Sequence, residues 1–231
     1  KGLYAYLVNG NILVLRNSPR EYMDDVTMEY ERPTSAPWRE NTEITKVNIE
    51  TPILIRSGYL LFSGLSNLTE IENQKNMCMD ECTTMYRMFT GCGKLKRLDT
   101  THWNTSNVTN MFQTFTYCSS LEALDVGKWD VSNVTNMESI FNSCSKLKSL
   151  DVGNWNTENV TNMTQAFNWC KSLSYLDVAE WKMSKVTSLG WMFQDCESLT
   201  HLDVSNWDVS NVTSLDQTFQ NCFKLKEAVT K

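Results

Sequence analysis

Five aspartates stand 26 residues apart, at Asp99, Asp125, Asp151, Asp177 and Asp203, and each follows a leucine. If the chain stacks in layers spaced like paired strands, about 4.8 Å apart, these carboxylates face one another in a row. Unit charges about 5 Å apart repel by about 0.8 kcal/mol in water and about 3 kcal/mol at an effective dielectric near 20. Two arrangements relieve that repulsion. A hard cation such as calcium takes several carboxylate oxygens, or each Asp accepts an Asx-type bond from backbone N–H groups of the turn ahead of it. Calcium loops concentrate acidic residues within a few positions. Here Asp130 and Asp208 occupy a phase that other repeats fill with Asn104, Asn156 and Lys182. The backbone bond is therefore the expectation. The row reads as a structural ladder, with no metal and no other cofactor.

The cysteines follow the same period. Six of the eight, Cys92, Cys118, Cys144, Cys170, Cys196 and Cys222, recur every 26 residues, mostly as Phe-x-x-Cys-x-x-Leu. A cysteine held between two core residues behaves as a small buried hydrophobe, whereas disulfide frameworks use irregular spacings in chains short of core. A column of free thiols is expected. Cys82 takes a phase later held by Val108 and Val134, so it too belongs to the core. Only His102 and His201 are present, neither beside paired cysteines, and a zinc site lacks ligands. No Ser, His and Asp set recurs with useful spacing and no Gly-rich phosphate loop occurs, so no enzyme is expected. The repeated Asn-Val-Thr at Asn107, Asn133, Asn159 and Asn211 fits a glycosylation acceptor. A polar ladder bonding backbone groups between layers is the better reading, since a glycan on every layer would crowd the stack.

Self-similarity at this period identifies a solenoid, in which each unit contacts only its neighbours. Trp103, Trp129, Trp155, Trp181 and Trp207 keep the period, as do Leu98, Leu124, Leu150, Leu176 and Leu202. In the stretch Leu121 to Cys144, Leu121, Leu124 and Val126 belong to a short inward-facing strand and Trp129 starts the turn away from it. Met137, Phe141 and Cys144 sit at i, i+4, i+7, the spacing of about two helical turns. The expected fold is an α/β repeat: a right-handed leucine-rich-repeat-like solenoid, with a short strand plus a short helix per coil and an N-terminal β-hairpin cap. Residues 1–58 form the cap region and 59–231 the solenoid, degenerate at first and regular from about residue 82.

The cap is read from Leu3–Val8, the turn Asn9-Gly10, and Asn11–Arg16, because Asn-Gly supplies the positive φ a tight hairpin needs. The stretch from Asn17 to Glu43 carries Pro19, Pro33 and Pro37 and reads mostly as loop, with Trp38 as a packing anchor. Ile44–Ile49 alternates as a strand. The chain opens without a methionine and its last repeat has no evident polar cap. A missing leader and a continuation beyond Lys231 are both expected.

A formal net charge of −6 argues against nucleic acid, which wants a basic stripe. The Lys94–Arg97 and Lys146–Lys148 clusters lie among acidic residues and read as a solvated face. No apolar run is long enough to span a membrane. What varies between repeats is the surface: Lys96, Arg97, Lys148, Tyr175 and His201 beside the strand leucines, and Tyr86, Phe112, Tyr117, Trp169 and Trp191 on the expected helix. A fixed core under a variable surface is the pattern of binding arrays, and aromatics beyond structural need are hot-spot material. The candidate binding residues are Lys96, Arg97, Lys148, Tyr175, His201, Tyr117, Trp169 and Trp191. The alternative is a stalk that displays another domain and has no ligand of its own.

The run Leu202-Asp203-Val204-Ser205-Asn206-Trp207-Asp208-Val209-Ser210-Asn211-Val212-Thr213 resembles the 26-residue repeat of bacterial surface proteins, a leucine-rich-repeat-like family akin to BspA-type proteins. The likeness covers about the last two-thirds of the chain, and the Tyr4–Ile49 segment also looks like the region preceding such repeats. The resemblance implies an extracellular protein of the bacterial cell surface, attached to wall or membrane. It further implies an adhesion or interaction role toward a host or neighbouring-cell protein or glycan. It supplies no catalytic residues.

Overall fold

The computed structural model describes residues 3–19, 27–30 and 36–229. Strands β1 (Leu3–Val8) and β2 (Ile12–Arg16) pair antiparallel, Val8 opposite Ile12. Asn9 and Gly10 between them have φ of 51° and 74°, as a primed hairpin turn demands. Inside the stretch expected to be mostly loop, β3 (Thr27–Tyr30) pairs antiparallel with β1. The free edge of the hairpin recruits this segment, a tertiary effect that its turn-rich flanks conceal. Pro33 lies outside the described residues.

From β2 the sheet continues by parallel pairing. β4 (Lys46–Ile49) lies beside β2, and after the short β5 (Ile53–Leu54) the chain returns as β6 (Glu70–Glu72) beside β4. The order is β3-β1-β2-β4-β6, so the hairpin closes one end of the stack. Trp38 is buried there and donates its indole N–H to the Leu61 carbonyl at 2.7 Å. A short 3-10 turn, Gln74–Asn76, leads into β7 (Met77–Cys78), which pairs with β5.

The later coils each contribute a short strand: β8 (Arg97–Leu98), β9 (Ala123–Leu124), β10 (Ser149–Leu150), β11 (Tyr175–Leu176), β12 (His201–Asp203) and β13 (Glu227–Val229). β8 with β9, β10 with β11 and β12 with β13 pair in parallel, with residues 26 apart in register. A second column of parallel bridges runs through Thr84, Asn110, Asn136, Asn162, Ser188 and Ser214.

The expected short helix does not form in any coil. Met111–Thr114 and Phe115–Cys118 are consecutive turns closed by i→i+3 bonds, and their third residues, Gln113 and Tyr117, have φ of 52° and 62°. That is the sign pattern of a type II turn, and a right-handed helix cannot pass through it. The reason lies in where the N–H groups go. Met111, Gln113, Phe115 and Tyr117 donate to the carbonyls of Asn136, Glu138, Ile140 and Asn142 in the next coil, each at 2.9 Å. The peptide groups that carry those carbonyls donate onward through Met137, Ser139, Phe141 and Ser143 to Asn162, Thr164, Ala166 and Asn168. Four columns of peptide groups thus run along the stack, each group accepting from one side and donating to the other. The i, i+4, i+7 spacing of Met137, Phe141 and Cys144 still delivers three buried side chains, through turns in place of a helix.

The core is continuous from the cap through the coils. Phe89, Phe115, Phe141, Phe167 and Phe193 are buried, with neighbouring ring centroids 5.6–5.7 Å apart. The Trp column repeats at 5.9–6.5 Å. All eight cysteines are free thiols. In the column each thiol donates to a phenylalanine carbonyl of an earlier coil, as Cys118 Sγ does to Phe89 at 3.2 Å. The periodic cysteine therefore caps a buried backbone acceptor as well as filling space.

Candidate binding surface

The outward residues of the short strands are Arg97, Ala123, Ser149, Tyr175 and His201, all exposed. Arg97 pairs with Ala123, and Ser149 with Tyr175. The small residues at Ala123 and Ser149 leave an open groove of about 630 Å³ lined by Gln74, Arg97, Asp99, Ala123, Asp125, Ser149 and Asp151. Lys96 and Lys148 are exposed beside this row. Tyr175 and His201 are in adjacent coils, whereas Arg97 stands three coils away from Tyr175, so the strand-face candidates form a line and no convergent pocket.

In the Asp row, four of the five side chains point back to their own turns. Asp125 accepts from the Gly127 N–H at 3.2 Å, Asp177 from Ala179 at 3.4 Å and Asp203 from Ser205 at 2.9 Å. Asp99 accepts both the N–H and the hydroxyl of Thr101, and those bonds hold its carboxyl below the usual range. Asp151 Oδ2 instead lies where a side chain on Gly127 would be, 2.5 Å from an ideal Cβ, so the small residue of one coil makes room for the carboxylate of the next. Among the described residues no group of His, Cys, Asp and Glu is arranged to hold a metal ion. The Asn-Val-Thr amides are also engaged: Asn107, Asn133, Asn159 and Asn211 donate to carbonyls 27 residues upstream at 2.7–2.8 Å. A glycan on any of these nitrogens would have to break that bond.

The aromatic candidates divide into two kinds. Tyr59, Tyr86 and Phe112 stack face to face with centroids 4.9 Å apart, and Arg87 lies 5.7 Å and 5.5 Å from the last two rings. Their faces are consumed by one another, so Tyr86 and Phe112 pack the wall of the stack. Tyr117, Trp169 and Trp191 occupy the third residues of the type II-like turns, with φ of 62°, 60° and 56°. At one of those phases other coils carry Gly91, Asp195 and Asn221, the residue types that accept left-handed backbone most readily. A bulky ring there costs about 1–2 kcal/mol, and neither Tyr117 nor Trp169 recovers it by burial, being 60% and 46% exposed. Trp191 is half-buried.

Sequence reasoning missed the surroundings of these rings. Lys171 Nζ sits 4.6 Å from the Trp169 ring centroid and 2.8 Å from Glu197. Ser143 lies between Tyr117 and Trp169 in the same row, and the buried Asn168 leaves its side-chain oxygen without a hydrogen-bond partner. The available signal was the alternation of Gly and Asn with aromatics at one phase, which marks a left-handed turn position. Val209, Leu215 and Phe219 are also exposed, but they hold core phases of the last described coil and belong to the packing.

Residues 60–171 and 147–231 match the family model described as "Mycoplasma protein of unknown function, DUF285". Among solved structures, a leucine-rich repeat protein from Bacteroides ovatus is similar at 15% identity, over 97% of this chain and 80% of that one, with a TM-score of 0.34. None of the curated proteins matches.

Proposed function

We propose that this chain, which belongs to the DUF285 family of Mycoplasma proteins of unknown function, is a non-enzymatic binding module displayed outside a bacterial cell. In this reading the coils form a right-handed leucine-rich-repeat-like solenoid. The partner is a protein or glycan of a host or neighbouring cell. The observation that supports it is the placing of Tyr117, Trp169 and Trp191 on left-handed backbone. Strain that burial does not repay is retained where a surface has work to do, and exposed aromatics supply contact area at low entropic cost. The strand-face line of Lys96, Arg97, Lys148, Tyr175 and His201 would extend the same docking area. No described helix is long and apolar enough to cross a membrane.

Fluorescently labelled protein titrated onto bacterial and epithelial cells tests the reading. One variant carries Tyr117→Ser, Trp169→Asn and Trp191→Asn; a second carries Lys96→Glu, Arg97→Glu, Lys148→Glu and Tyr175→Ala. Saturable binding, weakened about tenfold in at least one variant, is the expected result. A wild-type chain that never saturates, or two variants indistinguishable from it, sinks the module and leaves a stalk.

A further inference from the structure

Nearly every aromatic face in the coils is covered by another ring. Tyr117 and Trp169 belong, with Tyr175, Trp191 and Phe223, to the few that are not: both are exposed, and among the described residues no protein ring stacks on either. They hold the same phase two coils apart. The backbone bonds Tyr117 N–H to Asn142 C=O at 2.9 Å and Ser143 N–H to Asn168 C=O at 2.7 Å put a single coil between them. At about 4.8 Å per coil the two positions are about 10 Å apart. Carbon atoms in contact need about 3.5–4.0 Å, so the gap admits one ring, and a second layer would not fit.

The chemistry of that gap is neutral. Its floor is Ser143, whose hydroxyl bonds the Asn142 side-chain oxygen at 2.8 Å. Lys171 covers one face of the Trp169 indole, and its ammonium is already paired with Glu197 at 2.8 Å. Asn168, the residue preceding Trp169, is 5% exposed and its amide oxygen is unpartnered. A buried acceptor left unpaired is destabilising, and a hydroxyl donor would relieve that if the amide turned toward it.

We propose that Tyr117 and Trp169 bound a subsite for one neutral pyranose ring of a glycan. The ring lays its C–H face on the indole and directs its hydroxyls to the amides of Asn142 and Asn168 and to Ser143. A peptide aromatic would match the two rings and leave the Asn168 side-chain oxygen without a partner. A carboxylated sugar would find the cation on the Trp169 ring, Lys171, already paired with Glu197. This inference rests on the binding-module reading and deepens it by naming the ligand class.

Isothermal titration with maltohexaose, cellohexaose and chitohexaose, each up to about 20 mM, tests it. A Phe-Gly-Phe peptide and sialyllactose serve as contrasting probes. At least one neutral hexasaccharide should saturate. Trp169→Ala and Tyr117→Ala should each weaken it by about tenfold or more, and Trp169→Phe should stay within about threefold. A fourth variant, Trp169→Asn, should lose the sugar without any fall in melting temperature, because Asn suits the left-handed backbone better. That outcome separates a binding role from a folding one. Saturation by none of the three sugars, unchanged affinity in both alanine variants, or binding of the peptide alone overturns the proposal. If cell binding is lost in the aromatic variant while no hexasaccharide binds, the module stands and the sugar subsite does not.

Discussion

Single positions in this chain are legible once their phase is known, and the indoles show where phase is not enough. Trp155 and Trp181 donate Nε1–H to the carbonyls of Val126 and Val152 at 3.1 Å and 3.0 Å, and Trp207 does the same to Val178. Trp103 and Trp129 are equally buried, yet their Nε1–H groups have no partner. At the phase of those valines stands Thr100, whose hydroxyl bonds the Asp125 carbonyl and whose own carbonyl accepts the Trp103 backbone N–H at 3.1 Å but not the Trp129 indole. Replacing both indoles by phenylalanine therefore separates them. Trp155→Phe loses a hydrogen bond as well as volume, while Trp129→Phe relieves an unsatisfied donor. Trp129→Phe should cost about 1–3 kcal/mol less in urea unfolding; equal costs would mean that the Trp129 N–H is satisfied in solution.

At the level of elements, the hairpin and the parallel strands follow from local pattern, and the joint between cap and coils follows from shape. Gly64 has φ of 75°, and a Cβ there would lie 2.6 Å from Glu40 Cγ and 2.9 Å from its Cα. The Gly64 N–H bonds Thr90 in the next coil at 2.7 Å, and Glu40 N–H bonds the Ser63 carbonyl at 2.9 Å. The glycine is needed both for its backbone sign and for the close approach. Gly64→Val should destabilise by about 2 kcal/mol or more, a loss visible as a lower denaturation midpoint; a neutral effect would show that the cap shifts freely on the first coil. The turn segments carry the opposite lesson. Met137, Phe141 and Cys144 satisfy a helical template as well as they satisfy two linked turns, because both bury the same three side chains. Only the destination of the N–H groups, the next coil in place of residue i−4, separates the two.

Across the whole molecule the buried thiols make stability a function of pH. Burial pushes Cys118 and Cys170 up to about 12 and holds Cys92, Cys144 and Cys196 well above the ordinary thiol value. Unfolded thiols ionise near pH 8.5. Above that the unfolded chain sheds protons that the folded one keeps, so stability is intact below about pH 8 and falls until the folded thiols themselves titrate. Each such thiol adds about 1.4 kcal/mol per pH unit to the fall. The urea midpoint should be flat between about pH 7 and 8 and drop steeply above about pH 9. Burial also raises Cys82 and Cys222 to about 11, so Cys118→Ala, Cys144→Ala and Cys170→Ala combined should remove a little under half of the thiol-driven slope; an unchanged slope would locate the sensitivity elsewhere. The period, the buried rows of Leu, Trp, Phe and Cys and the hairpin at one end were determined by sequence alone, because each repeats a local pattern whose burial only stacking can satisfy. The turns in place of helices and the split between aromatics that stack and aromatics that stay free were decided by tertiary structure. Each of those depends on a partner one coil away, and the same side chains allow more than one backbone path to it.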